Sequence, residues 1–184
     1  MRLGMKLDLR LLLGWTLGAV ALAYGQPPVI PPPSAPNTVC ADCHDVEAKL
    51  TKSMHGKVAC ASCHLKHEEY PHPEKQPKPA CSTCHAQATS DYEQSEHAAQ
   101  IKKGNGQAPE CSTCHGGVHE ITSALSVEFH KAVPDTCGMC HDKVAGQFAN
   151  SVHGKAVASG IKDAPVCTDC HGGHRILKHD NPKS

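Results

Sequence analysis

The chain has 184 residues, in which 18 Lys and Arg balance 18 Asp and Glu, with 15 His, 12 Cys and only 3% aromatic side chains. Balanced charge without a basic face argues against a nucleic-acid partner. So few large rings argue against a core built mainly from buried aromatic and aliphatic packing.

Residues 1–25 carry a basic start, Arg2, Lys6 and Arg10, followed by the apolar run Leu11 to Ala23 and small residues at Ala21-Leu22-Ala23 and Ala23-Tyr24-Gly25. This pattern predicts a cleaved secretory signal peptide and hence a periplasmic or otherwise exported protein. The run is shorter than the roughly 20 apolar residues of a membrane span. Removing it takes Trp15, the one tryptophan, and leaves acidic side chains in slight excess. Residues 26–39, rich in proline (Pro27, Pro28, Pro31, Pro32, Pro33, Pro36), are expected to form a stiff extended linker.

From Cys40 onward one pentapeptide, Cys-x-x-Cys-His, recurs six times and uses every cysteine: Cys40/Cys43, Cys60/Cys63, Cys81/Cys84, Cys111/Cys114, Cys137/Cys140 and Cys167/Cys170. The spacing puts two thiols on one side of a single turn, where each can add to a vinyl group of a haem. The histidine that follows is carried under the ring as an axial ligand. The expectation is therefore six covalently bound haem c groups, with His44, His64, His85, His115, His141 and His171 as proximal ligands. A zinc ribbon or a redox dithiol could account for one such motif but not for six, each followed by histidine, in an exported chain.

The motifs form an internal repeat. Cys81 to Cys111 and Cys137 to Cys167 are both 30 residues, and an offset of 56 aligns Tyr92 with Phe148, Ser95 with Ser151, His97 with His153 and Gly104 with Gly160. Cys40 and Cys60 enclose a shortened version in which Ser53 and His55 take the matching places. Three dihaem modules follow, at 40–80, 81–136 and 137–184, forming one hexahaem domain. Within them, Val46, Leu50 and Met54, and likewise Val144, Phe148 and Val152, recur at four-residue steps and predict helices stopped by Gly56 and Gly154. The remainder lacks strand-like alternation. The expected fold is mostly loop with a few short α-helices, essentially no β-sheet, and a core made of the cofactors, so that the apoprotein is largely unfolded.

Nine histidines remain for the second axial positions, and only Met54 and Met139 could compete. His55, His97 and His153 occupy equivalent places in the repeat. Along a helix they would lie roughly 16–18 Å from the proximal histidine of their own motif, too far to grip the same ring. His119 and His174 follow their proximal histidines by too few residues to pass around a ring edge. Each must reach a neighbouring iron. In the first module two candidates stand open: His67, by its spacing, and His72, held between Pro71 and Pro73. His130 and His179 read as exposed surface residues. Six bis-histidine irons of low reduction potential result.

The segments Ser53-Met54-His55-Gly56, Ser151-Val152-His153-Gly154, Cys111 to Ile121, Cys167 to Leu177 and Pro71-His72-Pro73-Glu74-Lys75 resemble bacterial multihaem c-type cytochromes of the doubled Cys-x-x-Cys-His family. They are similar to the multihaem segments linked to membrane cytochrome b systems. The resemblance covers nearly everything from residue 40 onward. It implies that the Ser-x-His-Gly and Cys-His-Gly-x-His histidines are distal ligands, and it favours His72 over His67. Glu96-His97-Ala98 departs from the family's Val-His-Gly while keeping the histidine. Similar chains often continue beyond a stretch like Leu177 to Ser184 into further haem motifs.

The function expected is electron transport along a row of ligated haems, without catalysis. The partners expected are a membrane quinol-oxidising complex or cytochrome b as donor and a terminal reductase or outer-membrane conduit as acceptor, with any membrane association made through a partner. The alternatives are a multihaem reductase or oxidase with one open haem site, and a subunit of an extracellular cytochrome filament in which His67, His130 and His179 serve the next copy. Six regular motifs with surplus histidines weigh against the enzyme.

Overall fold

The computed structural model describes residues 37–65 and 71–184. The expected signal peptide, most of the proline-rich linker, His67 and Tyr70 lie outside the described residues. About 48% of the described residues are helical, in ten short α-helices and one 3-10 turn, and none of them is in a strand. No helix among them is long and apolar enough to cross a membrane.

The first module contains α1 (Asn37–Ala41), α2 (Glu47–Leu50) and α3 (Cys60–Cys63). The last three residues of the expected linker, 37–39, thus belong to a helix. Asn37 explains why: its side-chain Oδ1 accepts the backbone N–H of Cys60 at 2.9 Å, tying the chain entry to the second motif. The second module has a 3-10 turn at Cys81–Thr83, then α4 (Ala86–Glu93), α5 (Glu96–Lys102) and α6 (Cys111–His115). The third is entered by α7 (Val127–Gly138), whose end carries Cys137, and continues with α8 (Asp142–Asn150), α9 (Val152–Ala158) and α10 (Cys167–His171).

The expected helix between the motifs of a module is broken in two. Ser151 is extended (φ −75°, ψ 170°) and its Oγ accepts the N–H of Gly154 at 3.1 Å, so it ends α8 and caps α9. Ser95 does the same ahead of α5 through the N–H of Ala98. A serine oxygen that satisfies an otherwise orphaned helix donor favours starting a new helix over continuing the old one. Gly154 is therefore not a stop. It is buried in the first turn of α9, where an added Cβ would lie 2.7 Å from Ala149 Cα and closer still to the Phe148 carbonyl oxygen. In the first module α2 is a single turn, and Met54 lies outside it, 61% exposed.

Protein side chains bury very little. Among the described residues the buried side chains are Ser95, Ala98, Val133, Ala164 and Val166, with no large side chain fully enclosed. Helices touch in a local sequence, α1 on α3, α4 on α5, α7 on α8 and α8 on α9, with α10 returning onto α7.

Candidate haem-binding histidine and cysteine ladder

The second motif of each module is itself a helix: α3, α6 and α10. In α6 and α10 the third residue of the motif accepts the backbone N–H of the residue just before it. Glu110 N–H donates to Thr113 Oγ1 at 3.1 Å, and Val166 N–H donates to Asp169 Oδ2 at 2.7 Å. Gly116 and Gly172 then follow the proximal histidines with φ of 85° and 75°. That left-handed turn costs glycine nothing and directs the chain toward His119 and His174.

Imidazoles meet in pairs drawn from different motifs. Ring centroids lie 6.3 Å apart for His44 and His72, 6.0 Å for His55 and His85, 6.0 Å for His64 and His119, 6.2 Å for His97 and His141, and 5.9 Å for His115 and His174. Each pair joins one proximal histidine to one distal candidate, and among the described residues no distal candidate faces the proximal histidine of the motif it follows. In the first module the histidine facing His44 is His72.

The pairs alternate in direction. His55 of the first module faces His85 of the second, while His119 of the second faces His64 of the first. The second and third modules repeat this, with His97 facing His141 and His174 facing His115. A backbone hydrogen bond marks each joint at the same place. Met54 N–H donates to the Ile121 carbonyl at 2.8 Å, and Glu96 N–H donates to the Ile176 carbonyl at 2.9 Å. The first joint also carries the exposed ion pair of Lys49 and Glu120 at 3.3 Å, which adds little.

The cysteines keep the same order. Within modules the first cysteines are neighbours: Cys40 with Cys60, Cys81 with Cys111 and Cys137 with Cys167. Between modules the second cysteines are neighbours: Cys63 with Cys84 and Cys114 with Cys140. Consecutive motifs are therefore adjacent in space from first to last. None of the twelve is in a disulfide.

Cys43 and Cys170 belong to the first and sixth motifs, which lie on no joint between modules, and both are exposed, as are six of the other ten cysteines.

Electrostatics favour neutral donors. Burial and then the facing His141 hold His97 below the ordinary imidazole range, and burial and then His174 do the same for His115. Burial, reinforced by Cys167, pushes the Cys137 thiol up to about 11. Neutral imidazole is the form that binds a metal.

The arrangement fits a haem iron. Two imidazoles bonded to opposite sides of one metal at roughly 2 Å per bond place their ring centroids about 6 Å apart, the separation found in all five pairs. Among the described residues no three or more His, Cys, Asp or Glu side chains surround a common point, as a tetrahedral zinc site would need. The thiol pairs of Cys-x-x-Cys flank each proximal histidine, where thioether bonds to a haem would be made.

Two expected histidine ligands are left without a facing ring. His153 is exposed, and among the described residues no imidazole faces it or His171. His179 is exposed, as expected. His130 is instead half-buried, with its Nε2 3.1 Å from Asp169 Oδ2, because the aspartate that caps α10 also offers it an acceptor. Sequence reasoning missed Phe129, whose ring lies 5.5 Å from His115, and the carbonyls of Ile121 and Ile176. Only the matching position of the two isoleucines in the repeat signals the latter.

No protein-family model, no curated protein and no solved structure matches this chain.

Proposed function

We propose that the chain is an exported hexahaem c-type cytochrome that carries electrons along a row of low-potential haems between respiratory redox partners. The observation that carries this reading is the set of five cross-motif imidazole pairs at 5.9–6.3 Å, each including the histidine of a Cys-x-x-Cys-His motif. When bound, haem supplies one-electron chemistry at its iron.

The residues of the chain bind, orient and space that group. Each motif provides two thiols for attachment and one axial imidazole, and for five of the six a distal imidazole from another segment supplies the other axial bond. Ser53, Ser95 and Ser151 set the start of the segments that bear His55, His97 and His153. Gly116 and Gly172 turn the chain toward His119 and His174. The scarcity of buried apolar side chains supports a core made of the cofactors, since a chain of this size otherwise lacks the burial that stabilises a domain. The linear order of motifs supports a conductor with distinct ends. A membrane quinol-oxidising complex or cytochrome b is the proposed donor, and a terminal reductase or outer-membrane conduit the proposed acceptor, met in the periplasm.

The contacts of Cys40 with Cys60, Cys81 with Cys111 and Cys137 with Cys167 favour one other reading, a disulfide framework. It would leave the second cysteine of every motif as a thiol and give the paired histidines no role. Expression with c-type haem maturation decides between them. Six haems per chain by pyridine haemochrome, with no titratable thiols, is the expected result. A colourless protein with three disulfides and six thiols would sink the cytochrome reading.

A further inference from the structure

We infer that the third module is an interface for a further dihaem module of different sequence, which exchanges axial histidines with it. The inference rests on the haem reading above. Both joints inside the chain have one register. The earlier module gives its Ser-x-His histidine to the first motif of the later one, the later gives the histidine that follows its Cys-His-Gly-Gly turn to the second motif of the earlier, and the N–H before the Ser-x-His histidine donates to an isoleucine carbonyl.

The third module presents the same three elements with nothing described against them. His153 is exposed where His55 and His97 are half-buried. Val152 N–H, equivalent to the donors of Met54 and Glu96, makes no backbone hydrogen bond among the described residues, and the Val152 side chain is 78% exposed. No described imidazole faces His171. His130, the nearest surplus histidine in chemistry, is engaged by Asp169.

A second copy of the chain does not continue this register. The joint needs a first-motif histidine that is still unfaced, and His44 faces His72, His85 faces His55 and His141 faces His97. Continuing the register takes a different dihaem module, with an iron open to His153 and an imidazole to give to His171. Electron transfer across this joint then proceeds through haems held by each other's ligands, at the close spacing of the internal joints.

The test uses the full holoprotein and two probes. Pyridine haemochrome is measured first, and fewer than six haems overturns the haem reading itself. With six haems present, electron paramagnetic resonance of the monomer is expected to show one high-spin iron in six, converted to low spin by one equivalent of added imidazole. A haem undecapeptide with a single Cys-x-x-Cys-His and an open sixth position is expected to become low-spin on the chain, with affinity at least tenfold weaker for His153→Ala. Six low-spin irons in the monomer, or haem-peptide binding unchanged by His153→Ala, overturns the inference while leaving the haem reading intact. Loss of the high-spin signal on concentration, together with dimerisation, also overturns it, since a second copy would then be the occupant.

Discussion

The imidazoles of His115 and His174 lie 5.9 Å apart, centroid to centroid, although one ends the second motif of the second module and the other follows the second motif of the third. His174 passes over its own motif to meet the previous one, and through this contact the C-terminal segment is held onto the middle of the chain. Under the cytochrome reading the two rings share one iron, so the cofactor is also the crosslink between modules.

Replacing His174 by methionine is expected to change one iron in six. The haem at His115 becomes His/Met ligated, and its midpoint potential rises by on the order of 0.1 V, within the range that axial ligands command. Spectroelectrochemical titration checks this through one component moved upward and a weak thioether charge-transfer band in the ferric spectrum. A uniform shift of all components would mean that His174 is no axial ligand.

Two glycines one helix apart should respond in opposite ways to alanine. At Gly154 the added Cβ meets the Phe148 carbonyl and Ala149 Cα, so Gly154→Ala is expected to lower stability by about 1–3 kcal/mol. At Gly146, inside α8, a Cβ meets nothing within 4 Å, and Gly146→Ala should raise stability by about 0.5–1 kcal/mol. Thermal melts of the holoproteins separate the two, since 1 kcal/mol moves the Tm of a chain of this size by about 2–4 °C.

Tyr92 donates its hydroxyl to the Pro109 carbonyl at 2.6 Å, bracing α4 against the segment that enters the next motif. Burial, then the nearby Cys111, raise its pKa above the ordinary value. A raised phenol pKa contributes stability that is fully present below the unfolded value of about 10 and is lost as pH rises through the folded value. Tyr92→Phe is expected to cost about 1 kcal/mol at neutral pH and to abolish that part of the alkaline loss, which denaturant titrations at pH 8 and above pH 10 measure.

Without haem attachment the chain should not hold this fold. Among the described residues the buried side chains are four small or medium apolar residues and one serine, far too little to offset the entropy of ordering the chain. Expressed without the maturation system and kept reduced, it is expected to show far-UV circular dichroism well below the 48% helix of the described residues, and no cooperative melt. A folded, cooperative apoprotein would contradict a cofactor core.

The local chemistry was legible in the residues alone. A Cys-x-x-Cys-His pentapeptide specifies its thiols and its first imidazole within one turn, and the 30-residue spacing of Cys81 to Cys111 and Cys137 to Cys167 exposes the modules, because both depend only on neighbours in sequence. That His55, His97, His119 and His174 would not face the histidine of their own motif also followed from reach along the backbone. Which histidine meets which motif is a long-range matter, and only the tertiary structure decided that His55 faces His85, that His119 turns back to His64, and that His72 faces His44. The break at Ser95 and Ser151 escaped the apolar periodicity because a four-residue step continues through a serine cap without interruption, whereas the hydrogen bond to the Ala98 or Gly154 N–H ends the helix. That no described imidazole faces His153 or His171 was hidden for a related reason. The repeat makes these residues look equivalent to their counterparts, and equivalence in sequence carries no information about whether a further module lies against them.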